Sequence, residues 1–377
     1  MNQPKLQVCN RCLMDESASD ILFDSKGVCN YCENFISEVH KSKISPEVAA
    51  KLLTNLVEKI KSKRTSKGYD CIVGVSGGVD SSFLLTQVIK LGLNPLVVHM
   101  DNGWNSEIAQ NNIANIVTAL KIDYLSHVIY WPEYRSLMES FFSADVVDIE
   151  LLYDNAMLAV NYELARKYRI RYIIGGTNSA TEGFRMPSNW SWLKYDKKNI
   201  RAIHRLNPNR MKVGSFPSIG IIEYLWSRFV LRISWVSMLD LMDYKKESAV
   251  NYLRENFGFK PYPYKHYESV FTRFYQGYLL PSKFGIDKRK VHLSNLILSG
   301  QMSRADGEIQ LQSSPYPSTK ELKNDIRFFL KKMNWQAAKL ENYLSRPGIN
   351  HDYYKSNAKY WAIFSRIKRS IGKWIKK

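Results

Sequence analysis

The stretch Cys71-Ile72-Val73-Gly74-Val75-Ser76-Gly77-Gly78-Val79-Asp80-Ser81-Ser82 decides the fold. Its first five residues are an apolar run of strand length. Two glycines break the run, and Phe83 to Leu91 continues as a helix. Glycines let a backbone come close to an oxyanion, and successive N–H groups at a helix N-terminus supply it with partial positive charge. Ser76, Ser81 and Ser82 add hydroxyl donors. This is not a Walker loop, because no Gly-Lys-Ser/Thr follows.

The same alternation continues on the C-terminal side. Leu96–Met100, Tyr124–Tyr130 and Tyr172–Ile174 read as strands, and helical spacing falls at 108–120, 132–142 and 156–168. A further helix is expected over 45–67. Strands alternating with helices predict an α/β fold with a doubly wound parallel sheet. Ligands in such sheets bind beyond the carboxyl ends of the strands. Those ends carry the loops Ser76–Ser82, Asp101–Ser106 and Gly175–Gly183. Four regions follow: a cysteine-rich module at 1–40, the α/β domain at 41–190, a mostly helical, basic and aromatic region at 191–311, and a linker (Gln312 to Thr319) with a basic helical tail at 312–377.

The chain has 377 residues, 45% of them hydrophobic, enough to build a core and to exclude disorder as the main state. Lys and Arg outnumber Asp and Glu by 54 to 35, a net charge of +19 that calls for anionic partners: nucleotides, nucleic acid, phosphorylated sugars or an anionic membrane surface. The stretch MNQPKLQVCN lacks an apolar h-region, so no signal peptide is expected. The longest apolar region, Ile219 to Met242, is interrupted by Glu223, Arg228, Arg232 and Asp240, so no spanning helix is expected. The expected compartment is the cytoplasm, where thiols stay reduced. Residues 355–377 hold eight Lys or Arg and no acid, with Tyr360, Phe364, Ile367, Ile371 and Trp374 at helical spacing. That face suits an anionic inner-membrane surface, a partner subunit or the chain's own core.

Cys9-x2-Cys12 and Cys29-x2-Cys32 have the spacing of a structural zinc site with four thiolate ligands. Iron fits the same cage. With no open position, the ion would shape the module and not catalyse. Cys71, inside an apolar strand, reads as an inert thiol.

The motif SGGVDSS resembles the PP-loop of the ATP-pyrophosphatase superfamily, with its adenine nucleotide alpha hydrolase-like fold. The wider pattern is similar to the N-acetyl sugar amidotransferase family of lipopolysaccharide O-antigen and flagellin-sugar biosynthesis. It comprises the paired cysteines, Ile21 to Asp24, Gly27 to Cys32, His99 to Ser106, Gly176 to Asn178, Thr181 to Gly183 and Lys265 to Ser269. Position 267 is Tyr where a second His is expected, and the Tyr153 to Met157 block is looser than the family form. The resemblance covers roughly residues 9–306. It implies that ATP activates the acetamido oxygen of a nucleotide-linked sugar and that ammonia then displaces AMP.

By the same resemblance, Ser76, Gly77, Gly78, Asp80, Ser81 and Ser82 hold the pyrophosphate end of ATP, with Asp80 near a Mg²⁺. Asp101 and Asn102 lie near the nucleoside, and Thr177, Asn178 and Glu182 face the reacting centre. An Asp after a strand is also a common helix cap, and Thr177-Asn178 also reads as a turn. Lys265, Arg273, Lys283, Lys288 and Arg289 suit phosphate neutralisation, or form a solvated basic face. His266 and Glu268 suit sugar binding or proton transfer. Four cysteines are committed to metal and Cys71 to a strand, which leaves no nucleophile for glutamine hydrolysis. Ammonia is therefore expected from a separate glutaminase subunit, with a cyclase-like barrel subunit as conduit, as the family implies. The competing reading is a PP-loop tRNA-modifying enzyme; the shortage of further reactive cysteines weighs against it, so nucleic acid is not the expected partner.

Overall fold

Four apolar runs expected as strands pair in register, and a fifth joins them. The computed structural model describes residues 6–42, 45–262 and 267–374. β1 (Cys71–Gly74), β2 (Pro95–Asp101), β3 (Tyr124–Val128), β4 (Tyr172–Gly175) and β5 (Ser234–Ser237) form one all-parallel sheet in the order β3-β2-β1-β4-β5. The chain runs outward from β1 to β3, then returns to the other side of β1 for β4. The order reverses between β1 and β4, where parallel sheets open a crevice for ligands.

Side-chain alternation explains the burial. Ile72, Leu96, Val98 and Ile173 enter one core, and Cys71, Val73, Val97 and Ile174 enter the other. The period of two sends neighbours to opposite faces, each covered by helices. β5 lies in a region expected to be helical. Its Trp235 fills the space beside Gly175, where a Cβ would come 2.4 Å from the indole nitrogen.

The helix after β1 spans Val79–Lys90, starting four residues before the apolar pattern indicates, directly at the glycine turn. The segment after Thr319 opens with two helices, Thr319–Met333 and Ala337–Ser345. They are separated by Asn334 in the left-handed region (φ 56°), a conformation Asn tolerates.

Residues 313–354 pack against the rest of the chain. Tyr316 is buried, its hydroxyl 3.2 Å from Asp325, and Tyr267 donates its hydroxyl to the Pro315 carbonyl. Phe329, Trp335 and Tyr343 pack edge-on against Phe142 at 5.0–5.5 Å. Aromatic burial of this size makes the segment a layer of the main core. The last helix, Ala358–Trp374, follows; its Trp361 lies 5.4 Å from Tyr195. No helix among the described residues is long and apolar enough to cross a membrane.

Candidate active site and four-cysteine centre

The turn after β1 is built around two requirements for glycine. Gly77 adopts φ +81°, and a Cβ there would sit 2.6 Å from the Ala109 carbonyl oxygen. Gly176, at the end of β4, faces the Ser81 amide, where a Cβ would come within 3.0 Å. Only bare backbone lets the β1 and β4 loops meet. Ser81 Oγ accepts from the Ser76 amide at 3.2 Å and donates to the Gly78 carbonyl at 3.3 Å. Buried Asn112 donates to the Gly77 carbonyl (3.3 Å) and the Lys260 carbonyl (3.0 Å), and Tyr262 donates to the same Gly77 oxygen (3.1 Å). The turn is thereby clamped from outside.

A cavity of about 200 Å³ opens over this turn, lined by Ser76, Gly78, Asp80, Ser81, Gly176, Thr177, Thr181, Glu182, Lys246, Tyr262 and Glu268. Asp80 accepts from the Tyr244 hydroxyl and, at 3.2 Å, from Thr181 Oγ1. Burial, reinforced by the Asp80 charge, pushes the Tyr244 phenol well above its usual range, so it stays a donor.

Glu268 arrives from a distant part of the chain. The Ser106 amide donates to the Glu268 carbonyl (2.8 Å) and the Val270 amide to the Trp104 carbonyl (2.8 Å). This short ribbon fixes the Glu268 carboxylate beside Gly78. A second cavity, of about 290 Å³, shares Ser76 and Glu268 with the first and adds Asn102, Asn105, Glu150, Tyr153, Asp154, Lys194, Lys288 and His292. Lys194 bridges Asp148 (2.7 Å) and Asp154 (2.9 Å), and Lys288 pairs with Glu150 (2.8 Å). Burial works against the Lys194 charge, but the two carboxylates outweigh it and hold the ammonium protonated. A third cavity, of about 100 Å³, touches both through Thr181, Lys246, Gln276, Lys288 and His292.

Residues 268–368 match the family model described as "LPS biosynthesis protein WbpG-like, C-terminal domain". The chain carries a WbpG-like C-terminal domain. The chain is also 23% identical over 206 residues to the uncharacterized protein MJ1599 of Methanocaldococcus jannaschii, covering 54% of this chain and 68% of that one. Among solved structures it is similar to the NH3-dependent NAD synthetase of Campylobacter jejuni (14% identity, 69% of this chain and 98% of that one, TM-score 0.33). It is likewise similar to the NMN synthetase of Francisella tularensis (14% identity, 62% and 93%, TM-score 0.30).

The WbpG-like domain begins at Glu268, the residue that reaches the turn. The cations expected to bind ligand in this region are placed differently. Arg273 makes a two-pronged pair with Asp325, both contacts 2.6 Å. Lys283 is buried, pairs with Asp145 (2.9 Å) and donates to the Arg346 carbonyl (2.7 Å). Arg289 is held by Asp287 (2.8 Å) and the Ser313 carbonyl (2.9 Å), touching only the third cavity. Among the described members of this cation set, Arg273 and Lys283 line none of the three cavities, Lys288 lines the second and third, and Arg289 lines the third. Their partners Asp145 and Asp325 lie far off in sequence and could not be foreseen. Lys265 and His266 fall outside the described residues.

Asp101 accepts from the Gly103 amide (2.7 Å) and Asn102 from the Trp104 amide (3.0 Å), so both shape the β2 loop; Asn102 also faces the second cavity. Asn178 caps the Ser179–Glu182 turn, accepting from the Thr181 amide at 2.9 Å. Thr177 and Glu182 line the first cavity. Ser82 is buried beneath the turn, its amide bonded to the Gly78 carbonyl (3.1 Å). Sequence reasoning missed Thr181, Lys246 and Tyr262, which line the first cavity, and Tyr244, which donates to Asp80. It also missed Glu150, Asp154 and Lys194 in the second. The Thr181 to Gly183 and Tyr153 to Met157 blocks were the available signals.

The four cysteines of the N-terminal module are buried and converge, with sulfurs 3.8 Å apart between Cys9 and Cys32 and 3.7 Å between Cys12 and Cys29 and between Cys29 and Cys32. A tetrahedron of zinc–sulfur arms of ~2.3 Å has edges of about 3.8 Å, so the donors fit the ion. Amides of Arg11, Met14 and Cys29 point at cysteine sulfurs over 3.3–3.4 Å. The module is tied to the site through the Arg289–Leu298 helix. Ser294 accepts from the Leu13 amide (3.0 Å), while adjacent Asn295 holds the Ala180 carbonyl (2.6 Å) and the Phe184 amide (2.7 Å).

Proposed function

We propose that the chain is an ATP-dependent amidotransferase acting on a nucleotide-linked N-acetyl sugar in surface-polysaccharide synthesis. The observation that carries this reading is that the cavity over the Ser76–Ser82 turn and the carboxylate- and lysine-lined cavity beside it meet at Ser76 and Glu268. An enzyme that joins two anionic substrates needs two such pockets with a shared wall.

The triphosphate lies along the turn, its charge met by backbone N–H groups, the Ser76 and Ser81 hydroxyls and Lys246. Bound Mg²⁺ would supply further neutralisation, and Asp80, Glu182 and Glu268 offer the oxygen donors it prefers. The acetamido oxygen attacks the α-phosphorus, the bond to pyrophosphate breaks, and an O-adenylyl imidate forms. Ammonia adds to the imidate carbon, the C–O bond to AMP breaks, and one proton is released, leaving an acetamidino group. Glu268, on the shared wall, takes that proton. Lys194 and Lys288, each already balanced by carboxylates, shape the sugar side.

Ammonia comes from a separate glutaminase subunit, with a barrel-like subunit as conduit, because Cys71 is fully buried and burial pushes its thiol far above its usual range. The same burial removes the thiol that a sulfur-transferring tRNA enzyme would need. The test supplies ATP, ammonium and a UDP-N-acetyl sugar or tRNA, and measures AMP, pyrophosphate and the mass of the sugar. Sugar-dependent AMP release with a slightly lighter sugar, oxygen replaced by NH, is expected; tRNA dependence would overturn the reading.

A further inference from the structure

An exposed apolar patch lies away from all three cavities. It begins in the Ile221–Leu225 helix and the following Trp226–Val230 turn. Ile222 is 79% exposed, Trp226 56%, Phe229 60% and Val230 54%. The Ala358–Trp374 helix extends it, because Phe364 meets Phe229 with ring centres 6.1 Å apart while Tyr360 (66%) and Ile363 (55%) stay exposed. Soluble surfaces seldom leave so many large apolar side chains together without a binding partner.

The surroundings of the patch are strongly basic. Residues 197–232 hold eight Lys or Arg against one acid, Glu223, which pairs with Lys197 at 3.0 Å. Among the described side chains of the last segment, Lys355, Lys359 and Arg366 add three cations and no acid. Beside the patch runs a groove of about 620 Å³ whose lining includes Lys198, Arg201, Arg205, Lys355 and Tyr353. Glu223 also lines the groove, paired with Lys197.

We propose that this face docks on an anionic lipid bilayer. Trp226, Phe229, Val230 and Tyr360 would enter the headgroup boundary, and the groove cations would meet phosphodiester headgroups. Aromatic and aliphatic side chains fringed by cations suit the bilayer interface, where rings sit at headgroup depth and lysine and arginine draw anionic lipid. Protein interface cores are depleted in lysine, and RNA gains nothing from exposed Ile222 and Val230. The proposal makes the basic tail one half of a composite surface whose other half is the Ile221–Arg232 segment. It stands independently of the amidotransferase reading.

The experiment is co-sedimentation of the full chain with vesicles of phosphatidylcholine alone or mixed with phosphatidylglycerol, at low and high salt. The W226S/F229S/V230S and K198E/R201E/R205E variants are run alongside, with circular dichroism and thermal melting as the folding control. Binding to the anionic vesicles, weakened by salt and reduced at least tenfold in both variants, is expected. Equal binding to both vesicle types, or unchanged binding in either variant, would overturn it. So would a dimer in lipid-free sedimentation that the serine variant dissolves, or RNA binding that only the charge variant loses.

Discussion

The backbone amide of Ser106 donates to the carbonyl of Glu268 across 2.8 Å, joining the loop after β2 to the first residue of the WbpG-like domain. The contact joins two distant stretches of the chain at one site, because it holds the Glu268 carboxylate beside Gly78. Glu268→Gln should therefore lower kcat by about a hundredfold, the usual scale for losing a proton acceptor. ATP affinity should stay within a few-fold, as measured by titration calorimetry and steady-state AMP release. An unchanged kcat would remove Glu268 from the chemistry.

Gly77→Ala tests the turn itself. The left-handed φ costs a non-glycine residue about 1–2 kcal/mol, and the Ala109 backbone stands where the methyl group would go. ATP affinity should fall tenfold or more, with a lower Tm. Gly285→Ala, where φ is also positive (+67°) but the space is open, should lower Tm and spare ATP binding.

Removal of the metal should reach the site from a distance. Ser294 holds the cysteine module and Asn295 holds the turn bearing Thr181, so loosening one end of the Arg289–Leu298 helix loosens the other. Metal analysis should find one ion per chain. Chelation or Cys29→Ser should lower Tm and raise the KM for ATP. A chelated protein with unaltered Tm would refute the structural role.

Arg273 is expected to act in folding and not in phosphate binding. Arg273→Met leaves Asp325 buried without its partner, a loss of about 3–5 kcal/mol. Urea denaturation should show it, while the KM for the nucleotide sugar in surviving enzyme stays level. A large KM change at normal stability would return Arg273 to the ligand site.

His351 gives the fold a pH dependence. It is buried, stacked on Trp192 at 5.2 Å, and hydrogen-bonded to Asn199 Oδ1 at 2.7 Å. Burial, only partly offset by Asp148, pushes it down to about 4 from 6.5. The unfolded chain thus binds more protons than the folded one between these values, so stability rises with pH across that window and is flat above it. The span is worth about 3 kcal/mol. Urea midpoints should fall from pH 7 to pH 4.5, and His351→Gln should flatten that slope.

The sequence alone determined the strand-turn-helix around Ser76–Ser82, four of the five strands and the four-cysteine cage. In each of these the information is local: a period of two, a pair of glycines, a spacing of three. Only the tertiary structure decided which charges remain for ligands. Arg273, Lys283 and Arg289 read as a phosphate cluster along the chain, but Asp325, Asp145 and the Ser313 carbonyl occupy them in space. Lys194 carried no local signal, yet it lines the second cavity. A buried cation must find a counter-charge wherever packing places one, and packing brings together residues that no window of sequence contains.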